Sequence, residues 1–179
     1  MQDILTCAMG LDVHRDVIVA CLAKGELGTD PEIEIRSFST LIPEMRKLRD
    51  WVIETGCHHI AMESTGIYWQ PIYETLEPCF DGQINILVVN ARHMKNVPGR
   101  KTDMRDAQWI ATLLRAGLLK GSFIPDKTFR ELRHLTRYRK SIVHDITAQK
   151  NRIDKFLQSS GFRFTAFLSD AFGASGRNI

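Results

Sequence analysis

The 179-residue sequence has no long apolar run, and its N-terminus, Met-Gln-Asp-Ile-Leu, lacks a basic leader. A membrane-spanning helix needs about 20 consecutive apolar residues, and a secretory signal peptide opens with positive charge. The sequence therefore predicts no membrane span and no signal peptide. We expect a soluble, cytoplasmic protein.

Cysteine is also scarce. There are four cysteines with no CxxC spacing, namely Cys7, Cys21, Cys57 and Cys79. Three of them lie inside apolar runs, which favours buried, reduced thiols in a cytosolic protein. The run Cys57-His58-His59 resembles a zinc-site fragment, but adjacent residues leading into a strand point to opposite faces, which argues against a shared metal ion.

Lys and Arg are outnumbered by Asp and Glu in the first half of the chain. Residues 1–90 contain 6 Lys and Arg against 14 Asp and Glu, a balance of −8. Residues 91–179 contain 18 Lys and Arg against 7 Asp and Glu, a balance of +11. An acidic half followed by a basic half is suited to an enzyme that binds a polyanion, and it favours nucleic acid over a merely solvated surface.

Four carboxylates in the sequence are of the kind that a fold must bring together to hold divalent metal ions. Asp12 and Glu63 each lie in or end an apolar run typical of a strand, whereas Asp103 and Asp106 are three residues apart in a helical pattern. Hard cations such as Mg²⁺ or Mn²⁺ prefer oxygen ligands, and a pair of such ions serves phosphodiester chemistry. The alternative for Asp103 is that it stabilises a helix start capped by Thr102.

The predicted elements follow the order of a ribonuclease H-like α/β fold, a mixed sheet flanked by helices. Three strands, near 6–13, 16–23 and 32–38, form a meander. A helix capped by Thr40 or Ser39 then runs to about Gly56. The strand that ends at Glu63, a helix, an apolar strand and the helix of Asp106 complete the order. In this fold the strands of Asp12 and Glu63 are neighbours.

A long helix is predicted from about 126 to 159. Apolar residues follow a heptad spacing along it, interrupted by Arg139 and Gln149. The seam consists of Leu132, Leu135, Ile142, Ile146, Ile153 and Phe156. We expect this coiled-coil arm to form a homo-oligomer, a dimer or tetramer, with basic residues left outward for nucleic acid. Those residues are Arg130, Arg133, Arg137 and Lys140.

Several residues near the carboxylates have two interpretations. Lys101 and Arg105 flank Asp103 and are candidates for phosphate contact, or are simply solvated. Tyr68 and Trp69 could stack on a base, but an amphipathic helix that places them in the core is favoured. Asp16 is interpreted as a turn residue rather than a fifth metal ligand.

Three ordered blocks resemble DEDD-type insertion-sequence transposases related to the Piv DNA invertase. The blocks are Gly10-Leu-Asp-Val-His14, Met62-Glu-Ser-Thr-Gly66 and Lys101-Thr-Asp-Met-Arg-Asp-Ala107. The resemblance covers nearly the whole chain. It implies a RuvC-like domain over 1–122, a basic coiled-coil helix over 123–160, and a tail over 161–179 that leads toward a further domain.

The resemblance also implies a mechanism and partners. Asp12, Glu63, Asp103 and Asp106 would be the metal ligands and catalytic carboxylates of a DNA recombinase that works with a structured guide RNA in the bacterial or archaeal nucleoid. A serine nucleophile is expected from the further domain, and Ser175 is not assigned this role. The chain is therefore expected to be inactive alone.

Three other functions compete with this one. The first is a nucleic-acid-binding dimerisation module without independent activity, and the second is a RuvC-like junction resolvase. The third is an actin-like or sugar-kinase-like ATPase. It ranks last because that fold needs small residues after the strand Asp, whereas Val13 and His14 are bulky.

Overall fold

The computed structural model describes residues 3–64, 66–90, 106–168, 171–173 and 176. The chain divides into two compact units, Met1–Ile124 and Pro125–Ile179. The assignment of separate roles to 1–122, 123–160 and 161–179 stays a prediction. Among the described residues, no helix has the length and apolar character needed to cross a membrane.

The first unit contains an α/β domain. Its described strands are β1 (Cys7–Val13), β2 (Val17–Lys24), β3 (Glu32–Ser39), β4 (His59–Glu63) and β5 (Asn85–Val89). Its described α-helices are α1 (Ile42–Thr55), α2 (Trp69–Leu76) and α3 (Asp106–Arg115). A short 3-10 helix, Cys79–Gly82, lies between α2 and β5.

The strands lie in the order β3-β2-β1-β4-β5 in one sheet. Short turns connect β1, β2 and β3, which therefore pair antiparallel. Strand β4 is parallel to both β1 and β5 because helices return the chain to the same end of the sheet. This order confirms the predicted ribonuclease H-like fold and the predicted adjacency of the two carboxylate-bearing strands.

The two faces of the sheet pack differently. The larger core lies between the sheet and helices α1 and α2, and its members from β1 and β4 are Met9, Leu11, Val13, Ile60 and Met62. On the opposite face, Ala8 and Ala61 pack against Ile110 and Leu114 of α3. Small side chains on this second face let α3 lie close to the sheet.

The start of α1 differs from the prediction. Leu41 occupies the N-cap position, and no side chain caps the helix. The predicted cap by Thr40 or Ser39 is wrong, because the Thr40 hydroxyl donates instead to the Arg15 carbonyl at 2.8 Å. The helix ends as predicted at Gly56, whose φ of 66° is a left-handed conformation that glycine adopts without strain.

The second unit contains α4 (Lys127–Ser159) and a short 3-10 helix, Phe164–Ala166. With 33 residues, α4 is about 50 Å long at 1.5 Å per residue. The predicted long helix is therefore confirmed. Every residue of α4 is described, and Arg130 is the only one that is buried.

Candidate functional site

Asp12 and Glu63 lie side by side at the ends of two neighbouring parallel strands. Side chains alternate along a strand, so Asp12 shares the face of Ala8, and Glu63 shares the face of Ala61. Leu11 pairs with Met62, which places Asp12 and Glu63 one step further along the same register. Backbones of paired strands are about 4.8 Å apart. The two carboxylates therefore start from adjacent positions on one face.

Helix α3 brings a third carboxylate to the same end. The helix crosses this face antiparallel to β1. Ala107, near its start, lies against Gly10, whereas at its other end the Arg115 carbonyl accepts from the Ile4 amide at 2.9 Å. Its first residue, Asp106, is consequently at the end of β1 that carries Asp12. Asp106 shares a helical face with Ile110, four residues on, which packs against the sheet.

Gly10 makes this close approach possible. A Cβ atom at this position would collide with the Ala107 carbonyl and the Ala111 amide, which are both backbone groups of α3. Only a residue without a side chain lets the helix lie so near the central strand. Gly10 therefore helps to set the distance between Asp106 and the strand carboxylates.

The predicted ligands differ in exposure. The Asp12 side chain is 20% exposed, Glu63 is half-buried, and Asp106 is exposed at the start of α3. Asp103 lies outside the described residues. Within the described part of the chain, no three His, Cys, Asp or Glu side chains come together in a group that could hold a metal ion.

The donor set nevertheless fits a hard divalent cation. Asp12 and Glu63 offer oxygen ligands from a rigid sheet, and Asp106 adds a third oxygen donor from the first turn of α3. Mg²⁺ and Mn²⁺ prefer carboxylate and water oxygens to softer ligands. Convergence of all four predicted ligands stays a prediction.

The predicted nucleic-acid contacts fall into three groups. Arg133, Arg137 and Lys140 are exposed on α4, as predicted. The outward position predicted for Arg130 is wrong: this side chain is 8% exposed, and its Nη1 donates to the Pro125 carbonyl at 2.8 Å. Its long side chain folds back over the segment before the helix. Lys101 and Arg105 lie outside the described residues.

The aromatic pair after Glu63 separates into two environments. Trp69 packs against the core and meets Tyr73 edge to face, with ring centroids 5.9 Å apart. Tyr68 is 39% exposed. The core interpretation is therefore confirmed for Trp69 and wrong for Tyr68.

All four cysteines are free thiols, as predicted, and all lie in the first unit. A hydrogen bond from the Cys57 thiol lowers the pKa of Cys7 to about 7, against the opposing effect of burial and with help from Lys24. The same hydrogen bond, together with burial, raises the pKa of Cys57. Burial raises the pKa of Cys21 to about 11.

Arg115 was not predicted from the sequence. It is 1% exposed and forms an ion pair with Asp3, at 3.3 Å between Nη1 and Oδ2. Its guanidinium also donates to four backbone carbonyls, those of Leu5, Gly25, Glu26 and Thr29. Arg115 thus fastens the C-terminal end of α3. The sequence did not indicate this buried role, because a basic residue in the last turn of a helix is already explained by its interaction with the helix dipole.

Comparisons with known proteins concern both structure and sequence. Two solved structures share the general shape at low similarity. Thermus thermophilus RuvC has a TM-score of 0.46 and 12% identity, and covers 65% of this chain and 99% of its own. T. thermophilus RuvC in complex with a Holliday junction substrate has a TM-score of 0.43 and 14% identity, and covers 66% of this chain and 100% of its own.

At the sequence level, a Sinorhizobium fredii (strain NBRC 101917 / NGR234) protein, y4qE, is named as a transposase. It is 36% identical over 61 residues, which are 34% of this chain and 16% of that protein. The matched segment thus spans about a sixth of that relative. The family model of DEDD-type IS110 transposases, described as "Transposase", matches residues 9–161. Because this match extends over most of the sequence, the chain belongs to the DEDD-type IS110 transposase family.

Proposed function

We propose that this chain is the metal-dependent catalytic part of a DNA transposase, which cleaves and exchanges DNA strands when an insertion sequence moves. The observation that carries the proposal is the placement of Asp12 and Glu63 on adjacent strands of one sheet face, at the end where Asp106 begins α3. Family membership supports the same reaction class.

In this proposal Asp12, Glu63, Asp103 and Asp106 hold one or two Mg²⁺ or Mn²⁺ ions. Bound there, the ions would polarise the scissile phosphate and stabilise the attacking and leaving oxygens. Through the bound ions the carboxylates would position the scissile phosphate near the ends of β1 and β4, and Lys101 and Arg105 contact neighbouring phosphates.

Calorimetric titration of the 179-residue chain with Mn²⁺ tests the metal site. We expect Asp12→Asn and Glu63→Gln each to reduce affinity at least about tenfold, because each removes an anionic ligand. Asp16→Asn is the matched control, since its carboxylate is 89% exposed in the β1–β2 turn. Equal Mn²⁺ affinity in all three variants would contradict the site.

Helix α4 supports a second element of the proposal, binding of DNA and a structured guide RNA. Arg133, Arg137 and Lys140 are exposed on this helix, and residues 91–179 carry a balance of +11. Each phosphate neutralised by such a residue contributes about −0.9 to the slope of log affinity against log salt for duplex DNA. Binding is therefore expected to weaken steeply as salt rises.

Changing all three basic residues to Ala tests this surface. The salt slope should become shallower by about 2 to 3 units if each side chain contacts a phosphate. Arg46→Ala, Lys47→Ala and Arg49→Ala together remove the same charge from α1 and should change the slope little. A slope that responds equally to both triple variants would indicate a general charge effect rather than a surface on α4.

The exposed seam of α4 favours the alternative of a dimerisation module without its own chemistry. Its six large apolar side chains are between 40% and 70% exposed, which is typical of a surface that pairs with another helix. We propose a homodimer, or a larger even assembly, through this seam. The alternative predicts dimerisation and nucleic-acid binding without Mn²⁺ affinity, so the calorimetry above separates the two functions. A preference for four-way junctions over element ends would favour a junction resolvase.

A further inference from the structure

His14 contacts one of the proposed catalytic carboxylates directly. Its Nε2 lies 3.1 Å from Asp12 Oδ2. The two residues are two positions apart along an extended chain, so their side chains project to the same face. The imidazole is 60% exposed, whereas the Asp12 side chain is 20% exposed. His14 therefore covers Asp12 from the solvent side.

The backbone around His14 is held in place from two directions. The His14 amide donates to the Val17 carbonyl at 2.9 Å, which closes the turn between β1 and β2. The Thr40 hydroxyl donates to the Arg15 carbonyl at 2.8 Å and ties the tip of this turn to the segment before α1. These two hydrogen bonds hold the backbone of the turn, so the position of the imidazole relative to Asp12 depends only on the side-chain torsions of His14.

We propose that His14 is a positioning residue, which orients Asp12 for divalent-metal binding. This inference rests on the proposed function. A carboxylate accepts hydrogen bonds, so the imidazole Nε2–H is the donor. The bond engages Oδ2, restricts the rotamers of Asp12, and leaves Oδ1 available as a metal ligand.

Metal affinity is the appropriate readout, because removal of a residue that orients a metal ligand typically lowers affinity by about 10- to 100-fold. Mn²⁺ alone is titrated into the full chain at one fixed pH. His14→Ala is expected to bind Mn²⁺ about tenfold more weakly than the wild type. His14→Gln keeps an N–H donor on a side chain of similar reach and should recover part of that loss.

Arg15→Ala is the matched control. It removes an exposed side chain from the same turn but retains the backbone carbonyl that accepts from Thr40. Its Mn²⁺ affinity should stay within about twofold of wild type, since a surface substitution away from the site has little effect. Thermal unfolding of each variant shows whether the fold is preserved, and His14→Gln provides the comparison if His14→Ala unfolds.

Spectroscopy distinguishes a positioning residue from a metal ligand. Electron spin echo spectra of bound Mn²⁺ should lack nitrogen coupling from an imidazole if His14 only orients Asp12. A nitrogen coupling that disappears in His14→Gln would overturn the positioning role, as would unchanged Mn²⁺ affinity in His14→Ala. If the wild-type chain does not bind Mn²⁺ at all, the proposed metal site is wrong and so is the role of His14. This outcome differs from the two above, in which the wild-type chain binds Mn²⁺ and only the positioning role is overturned.

Discussion

The two units of this chain use apolar side chains in opposite ways. The described residues of the first unit bury a large apolar cluster between the sheet and helices α1 and α2, and this unit begins with an acidic sequence. Helix α4 of the second unit leaves a row of large apolar residues exposed, and it lies in the basic half. The first unit therefore carries its own source of stability, whereas the exposed seam of α4 is the surface through which we propose pairing.

The largest expected effect is on the seam of α4. Ile142→Asp combined with Ile146→Asp should dissociate the proposed dimer completely. Burial of each Ile side chain in the dimer contributes about 1.5–3 kcal/mol to the free energy of association, and the variant removes two such side chains from each protomer. Light scattering should report monomers, while tryptophan fluorescence, whose three sources Trp51, Trp69 and Trp109 all lie in the first unit, stays unchanged.

Ser141→Asp combined with Asn151→Asp is the control for this variant. Both positions are exposed on α4 outside the heptad seam, so the same added charge should leave the assembly intact. A wild-type chain that is monomeric at tens of micromolar, roughly the range in which a weak interface still assembles, would contradict pairing through the seam.

The next effect concerns the buried guanidinium of the first unit. Arg115→Met should lower the free energy of unfolding by about 3–5 kcal/mol, because it removes the buried partner of Asp3 and the donor to the carbonyls of Leu5, Gly25, Glu26 and Thr29. Urea unfolding followed by tryptophan fluorescence measures the change. Arg46→Met, on the exposed side of α1, should cost less than about 0.5 kcal/mol. Equal effects of the two would show that the contacts of Arg115 add little.

Gly10→Ala should have a smaller effect on stability but a specific effect on the site. The added Cβ meets backbone atoms of Ala107 and Ala111, so α3 must shift, at a cost of about 1–3 kcal/mol. Asp106 should move with the helix and weaken Mn²⁺ binding. Ser37→Ala on exposed β3 is the control for urea unfolding and calorimetry. Unchanged stability would mean that α3 does not lie so close to β1.

The smallest effect is on the reactivity of the cysteine thiols. All four cysteines lie in the first unit, so their alkylation measures that unit alone. With the pKa of Cys7 lowered to about 7, Cys7 should be alkylated by limiting iodoacetamide at pH 7 before Cys21, whose pKa is raised to about 11. Cys57→Ala removes the hydrogen bond that favours the thiolate, so the pKa of Cys7 should rise and its reaction slow by about tenfold. Mass spectrometry of peptides measures both rates. Faster reaction of Cys21 would contradict this order.

The linked effect on stability has a definite sign for Cys7. Its folded-state pKa is lowered from 9.0 to about 7, so this group stabilises the fold above about pH 9 and loses that contribution as the pH falls through about 7. The raised pKa of Cys57 acts in the opposite direction within the same pair. Between about pH 7 and pH 9 only Cys7 differs in protonation between the folded and unfolded chain, so the unfolding free energy should rise with pH there; Cys57 opposes this only above about pH 9.

Local patterns were sufficient to predict much of this protein. Alternating apolar residues predicted the strands that contain Asp12 and Glu63, and heptad spacing predicted α4 over nearly its full length. These predictions succeed because strand and helix periods are properties of neighbouring residues. The order of elements, with short turns first and helical crossovers later, was also enough to predict the sheet order and the adjacency of the carboxylate strands.

Tertiary structure alone decided which polar side chains turn inward and what they meet. Arg115 and Arg130 are basic residues on helices, yet both are buried, and Arg115 bonds to Leu5, 110 residues away in sequence. The His14–Asp12 contact likewise depends on the closed turn at Val17. Long or rotatable side chains can satisfy their hydrogen bonds in many local conformations. For Arg115, the packing of segments distant in sequence determines which carbonyls it meets, whereas Arg130 and His14 find partners within five residues according to how the local chain folds.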